Sequence, residues 1–266
     1  MKPSKLIPTI IALAAGLSGA NAAQLFTNGN METFNGSGVP NGWYATGSNV
    51  TPSQSTTNSP FTNAYAPNTS SFNVIETGGS SDGFAQSFSS TTNYQTVTVN
   101  LDFMVPTLTA SQVNGTWGIQ FDGDGGPSKP QAASSSVHYR IDLNGNFSIV
   151  NNAGTTNIVS LDAGSWYNIQ ATFIVTANNT TGNNGAGYQF GSITKSGGDT
   201  TSWNNVALLN TTQGYSRLLV RDRSAAQSGG LLIDNVSVVN AIPEPSSALL
   251  LLGGSLLAFR RRRASI

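Results

Sequence analysis

Apolar and polar residues alternate along most of the chain between residues 23 and 241. Val97, Val99, Leu101, Phe103 and Val105 recur at every second position, with Thr98, Asn100 and Asp102 between them. That period belongs to a strand with one buried face. Val137, Tyr139, Ile141 and Leu143 repeat it, as do residues 117–121, 166–175, 188–193, 217–221 and 231–239. Turn residues separate the runs: Asn144-Gly145 marks a hairpin after residue 143, and Asp162-Ala163-Gly164 leads into the run that begins at Trp166. Residues 47–71 and 178–187, rich in Ser, Thr, Asn, Gly and Pro, read as surface loops. No helical periodicity of useful length and no repeat of 20 to 50 residues interrupts this pattern. The chain therefore predicts an all-β, antiparallel two-sheet β-sandwich, a jelly roll, over residues 23–241.

The two ends are different. Residues 1–22 open with Lys2 and Lys5, continue through an apolar stretch and close on small residues, with Ala20 and Ala22 at the −3 and −1 positions of a signal-peptidase site. At the other end, Pro243, Glu244 and Pro245 keep the backbone extended. The apolar segment 248–259 that follows would be about 18 Å long as a helix, short against a hydrocarbon core of about 30 Å. Arg260, Arg261, Arg262 and Arg263 come next and stop transfer at the cytoplasmic face, which orients the body outside.

The Pro-Glu-Pro triplet, short apolar helix and arginine cluster of residues 242–266 resemble the PEP-CTERM sorting tail of Gram-negative bacteria, also labelled an ice-binding-protein C-terminal domain. The resemblance implies recognition by an exosortase, transient anchoring in the inner membrane, and delivery to the outer surface or extracellular matrix. Nothing in the tail or the body supports binding to ice: Thr96-Val97-Thr98 occurs once, without the repeated ladder a flat ice-binding surface needs.

Charge narrows the partners of the body. The chain is formally neutral, but Lys2, Lys5 and the four terminal arginines lie in the end segments, with only Glu244 against them. The middle keeps six basic and eleven acidic side chains, about five negative charges net. It offers no basic field for nucleic acid. The absence of cysteine excludes disulfides and thiol chemistry.

Two segments sharpen the reading. Asn28-Gly29-Asn30-Met31-Glu32 followed by Val39-Pro40-Asn41-Gly42-Trp43 resembles the opening of carbohydrate-binding-module jelly rolls, and residues 231–238 resemble their closing strand. That resemblance implies a structural calcium ion tying Glu32 to Asp234, oxygen ligands that suit a hard cation. The middle, with Gly164-Ser165-Trp166-Tyr167, is more similar to a concanavalin A-like or laminin-G-like sandwich. Asp122-Gly123-Asp124-Gly125-Gly126 lacks the later ligands of an EF-hand and reads as a turn.

Catalysis finds little to work with. Glu32 and Glu76, the body's two glutamates, are far apart and form no carboxylate cluster. His138 is the sole histidine and has no nucleophile elbow near it. Alternation places it with Arg140 and Asp142 on a polar strand face, while Arg217 and Arg221 read as a charged sheet edge. Sugar binding asks only for an exposed ring with hydroxyls and amides around it. Trp203, set among polar neighbours, is the candidate; Trp117 and Trp166 read as core. The expectation is a non-catalytic exported surface protein that binds or scaffolds polysaccharide. The alternatives are a secreted glycan hydrolase of concanavalin A-like type and a purely structural envelope protein.

Overall fold

The computed structural model describes residues 23–24, 27–48, 50–61, 69–76, 83–88, 96–108, 116–122, 135–142, 144–151, 154–175, 187–208, 217–222 and 230–241. The expected signal peptide and sorting tail lie outside these residues. Among the described residues no helix is long and apolar enough to cross a membrane.

The strands are β1 (Ala23–Gln24), β2 (Tyr44–Ala45), β3 (Val50–Ser55), β4 (Ser71–Glu76), β5 (Gly83–Ser87), β6 (Thr96–Met104), β7 (Thr116–Asp122), β8 (Ser135–Asp142), β9 (Asn146–Asn151), β10 (Gly154–Ser160), β11 (Trp166–Val175), β12 (Gly187–Lys195), β13 (Thr200–Ala207), β14 (Arg217–Asp222) and β15 (Leu231–Ala241). They form two antiparallel sheets. The first runs β13-β12-β11-β6-β15-β4-β3, with β1 beside β15, and the second runs β10-β9-β8-β7-β14-β5-β2. This is the jelly-roll sandwich the alternation predicts.

Period two decides what each strand buries. Val97, Val99, Leu101 and Phe103 of β6 and Ile169, Ala171 and Phe173 of β11 point inward from the first sheet; Ile119 and Phe121 of β7 and Val137, Tyr139 and Ile141 of β8 meet them from the second. Rings interlock between the layers. Phe103 stacks on Phe147 at 6.0 Å and on Tyr167 at 5.7 Å, and Tyr139 lies 5.5 Å from Phe147. Phe72 meets Phe84 edge-on at 5.1 Å at the other end of the core. Such pairs add about 0.5–1.5 kcal/mol each beyond their buried area.

Several elements depart from the sequence expectation. Residues 47–71, read as a loop, contain β3, whose apolar positions do not alternate because it is an edge strand pairing only with β4. Pro52 is tolerated there since an edge residue owes no ladder bond on its free side. The run at Arg217 is not a sheet edge: β14 lies between β7 and β5. The hairpin at Asn144 is closed by Gly145 at φ 79°, whose N–H donates to the Asp142 carbonyl.

Trp203 is the largest correction. Its neighbours in sequence are polar, yet it is 7% exposed, with its ring 6.0 Å from Tyr139 and 6.3 Å from Phe147. The reason sits on the neighbouring strand. Trp203 pairs with Gly191, where an added Cβ would come within 2.7 Å of the indole Cζ2. The missing side chain gives the indole room to lie inside the sandwich, so its face is not available to a sugar. Trp203→Ala is therefore expected to destabilise the fold by about 3–5 kcal/mol, read as a lowered denaturant midpoint.

Candidate functional site

The outward face of the first sheet changes character along its strands. At one end Met104, Trp166 and Leu232 form an apolar patch covered by Phe61. Trp166 is thus buried, but outside the main core.

Next to that patch the β6–β15 register sets Asp102 opposite Asp234, both fully buried. The segment after β3 closes over them. Ser59 Oγ donates to Asp102 Oδ2 at 2.6 Å, and Ser59 N–H donates to Asp234 Oδ2 at 3.0 Å. Asn168 Nδ2 donates to Asp102 Oδ1 at 2.5 Å, Asn235 Nδ2 to Asp102 Oδ2 at 2.7 Å, and Asn235 N–H to Asp234 Oδ1 at 2.7 Å. Burial pushes Asp102 above the usual carboxylate range, against these hydrogen bonds. Asp234 is pushed up to about 7, chiefly by burial and further by the charges of Asp102 and Glu32, while the N–H groups of Ser59 and Asn235 hold it down.

Glu32 has its own partners. Its Oε1 accepts the N–H groups of Thr69 at 2.5 Å and Ser70 at 2.9 Å, and its Oε2 accepts the Thr69 hydroxyl at 2.5 Å. Glu32 and Asp234, the residues implied to share a calcium ion, each carry local hydrogen-bond donors. Every carboxylate oxygen of both residues accepts a hydrogen bond from an N–H or O–H group, and among the described residues no three His, Asp or Glu side chains group as metal ligands. The charge of Glu32 contributes to the raised pKa of Asp234.

Beyond the acids the described residues of the same face are more open and uncharged. Rows read across the strands give Asn100, Gln170, Ser192 and Ser202, and then Thr98, Thr172 and Phe190. Thr98 and Thr172 share a hydrogen bond at 3.2 Å. Phe190 is 39% exposed, the one exposed large hydrophobic side chain among the described residues. Tyr188, two residues earlier on β12 and therefore on the same face, is half-buried.

The orientation of β12 runs against local preference. Tyr188 and Phe190 face out, while Gln189 and Gly191 face in. Gln189 accepts the Tyr139 hydroxyl at 3.0 Å, and its Nε2 is buried without a hydrogen bond. Opposite Phe190 the pairing of β12 with β13 slips by one residue. Trp203 and Val206 both turn to the core, which leaves Asn204 and Asn205 exposed together, Asn205 with φ 53°. A bulge of this kind re-aims side chains. An exposed ring bordered by a threonine hydroxyl and two amides is the arrangement sugar binding asks for, and it is built around Phe190, not Trp203.

The other polar places are less open. On the second sheet, register sets Arg221 beside Gly118 and Gly118 beside Arg140, with Gln120 opposite His138. The polar row expected to be solvated is instead mostly covered: His138, Gln120, Arg217 and Arg221 are buried and Arg140 half-buried. Asp142 is turned to its own hairpin, accepting the N–H groups of Asn144 and Asn146 at 2.9 Å. A concavity of about 280 Å³ lies between β10, Tyr167 and the β12–β13 hairpin, where Lys195 pairs with Asp162 at 2.6 Å.

Comparison with known proteins bears on the end of the chain. Residues 241–264 match the model of the PEP-CTERM protein-sorting motif, which marks an exported protein sorted to the cell surface. No curated protein matches the chain. Solved structures of similar fold include a PL-14 alginate lyase from Aplysia kurodai, 12% identical over 71% of this chain and 87% of that one, with a TM-score of 0.47. They also include the lectin UEA-II complexed with galactose, 10% identical over 73% of this chain and 93% of that one, with a TM-score of 0.45. A sialidase is 12% identical over 74% of this chain, which spans 17% of the sialidase, with a TM-score of 0.43.

The acid pair makes stability depend on pH. Asp234 rises from an ordinary 3.8 to about 7 on folding, so between these values the folded chain keeps a proton the unfolded chain has lost. Stability is expected to fall as pH climbs from about 4 to about 7 and to level off above, with Asp234→Asn flattening the slope; denaturant midpoints across that range measure it.

Proposed function

We propose that the chain is an exported, non-catalytic surface protein whose body binds polysaccharide on the open face of its first sheet. The observation that carries this reading is Phe190, turned outward against the apolar pattern of its own strand and bordered by Thr172, Asn204 and Asn205. A ring held this way stacks on a sugar face, and the hydroxyl and amides take up its edge. Delivery rests on the matched motif. Signal peptidase cuts after Ala22, the C-terminal segment lodges in the inner membrane of a Gram-negative cell, and an exosortase recognises Pro243, Glu244 and Pro245.

Phe190→Ala is expected to weaken binding of the full chain to its glycan-array ligands about ten-fold, with the melting temperature nearly unchanged because the ring is exposed. Binding that survives the substitution would remove Phe190 from the site, and release of reducing sugar would make the protein an enzyme. Replacing Pro243, Glu244 and Pro245 by alanine is expected to leave an unprocessed chain in the membrane fraction, seen as a larger band on immunoblots. Unchanged processing would count against the sorting role.

A further inference from the structure

Resting on the reading that the open face binds polysaccharide, we infer that its ligand is an uncharged polysaccharide lying lengthwise along β12, with Tyr188 and Phe190 as successive platforms. Charge is the first argument. Around the two rings the face presents Thr98, Thr172, Gln170, Ser192, Ser202 and Asn204, all neutral. Among the described residues the ionisable groups on that face are Asp102 and Asp234, buried at its covered end two rows away from Phe190. A polyanion would be repelled by the negative body, and among the described residues of the face would find no cation to offset the loss of its hydration. A neutral chain carries no such penalty, and its hydroxyls match the donors and acceptors present.

Direction is the second argument. Tyr188 and Phe190 share a strand face two positions apart, about 7 Å along β12. Neighbouring rows continue the line with Ser192 and then Thr194, whose hydroxyl meets that of Thr200 at 2.9 Å. The bulge at Asn204 and Asn205 borders the line from β13 and fixes the side from which sugar edges are read. A chain laid across the strands instead would leave Tyr188 out of contact.

The experiment compares polymers that share a backbone and differ in charge. The full chain in mild detergent is run by affinity electrophoresis against hydroxyethylcellulose and carboxymethylcellulose, and against polygalacturonate and its carboxyl-reduced form. Neutral members are expected to retard the protein independently of salt, and charged members at least ten-fold less. Equal or stronger binding of the charged members, weakening with salt, would overturn the inference and leave polysaccharide binding standing. Retardation by neither pair, with an empty glycan array, would overturn both. Tyr188→Ala and Phe190→Ala are each expected to weaken retardation about ten-fold with unchanged melting temperature. Loss with Phe190→Ala alone would overturn the lengthwise direction. Lys195→Gln, at the concavity away from the rings, is the folded control and is expected to change nothing.

Discussion

The run of aromatic rings between the sheets, from Trp203 through Tyr139 and Phe147 to Phe103 and Tyr167, sets the rest of the structure. Among the described residues the two sheets share no ladder, so the rings and the aliphatic side chains around them hold the layers in register. Because strand side chains alternate strictly, fixing which residues enter this stack also fixes which residues leave it. With Trp203 seated on Gly191, β12 must turn Gln189 and Gly191 inward, and Tyr188 and Phe190 have no choice but the outside. The open face is a consequence of the core.

The outer side of the first sheet then divides into a closed end and an open end. The closed end cannot be left to water. Met104, Trp166 and Leu232 are apolar, and Phe61 covers them from the segment that also brings Ser59 to the two aspartates. Two carboxylates facing each other under cover are costly in their charged forms, and one proton fewer between them is worse than one more. Hydrogen bonds from Ser59, Asn168 and Asn235 offset part of that cost. The described part of the segment after β3 is therefore pinned at both its polar residue, Ser59, and its apolar residue, Phe61.

Much of the fold was legible in the chain, because strands in a sandwich announce themselves by period two. β6, β8 and β11 bury the residues their patterns mark. What the pattern could not reveal is pairing. β3 shows no alternation since an edge strand owes little to the core. Arg217 and Arg221 looked like an edge only because the neighbours of β14 lie about a hundred residues away in sequence. Trp203 looked exposed among Ser202, Asn204 and Asn205, and only Gly191 across the ladder explains its burial. Glu32 and Asp234 stood out in the sequence as a pair of carboxylates for calcium, whereas the donors that meet them, Ser59, Thr69 and Ser70, come from segments with no distinguishing pattern.

The candidate site was missed for a reason that is itself informative. In residues 188–193 the larger apolar side chains are Tyr188, Phe190 and Ile193, so local hydrophobicity argues for burying the first two. The structure buries Gln189 instead, leaving its Nε2 without a partner, a cost of about 1–3 kcal/mol. It adds a bulge with a left-handed Asn205 on the neighbouring strand, a further strain on a residue with a side chain. Conflicts between local preference and global fold concentrate where something other than stability was selected. Here two such costs fall on either side of one exposed ring. Both serve one outcome, an outward Phe190 with Thr172 on one side and Asn204 and Asn205 on the other, which a face kept only for packing would not require.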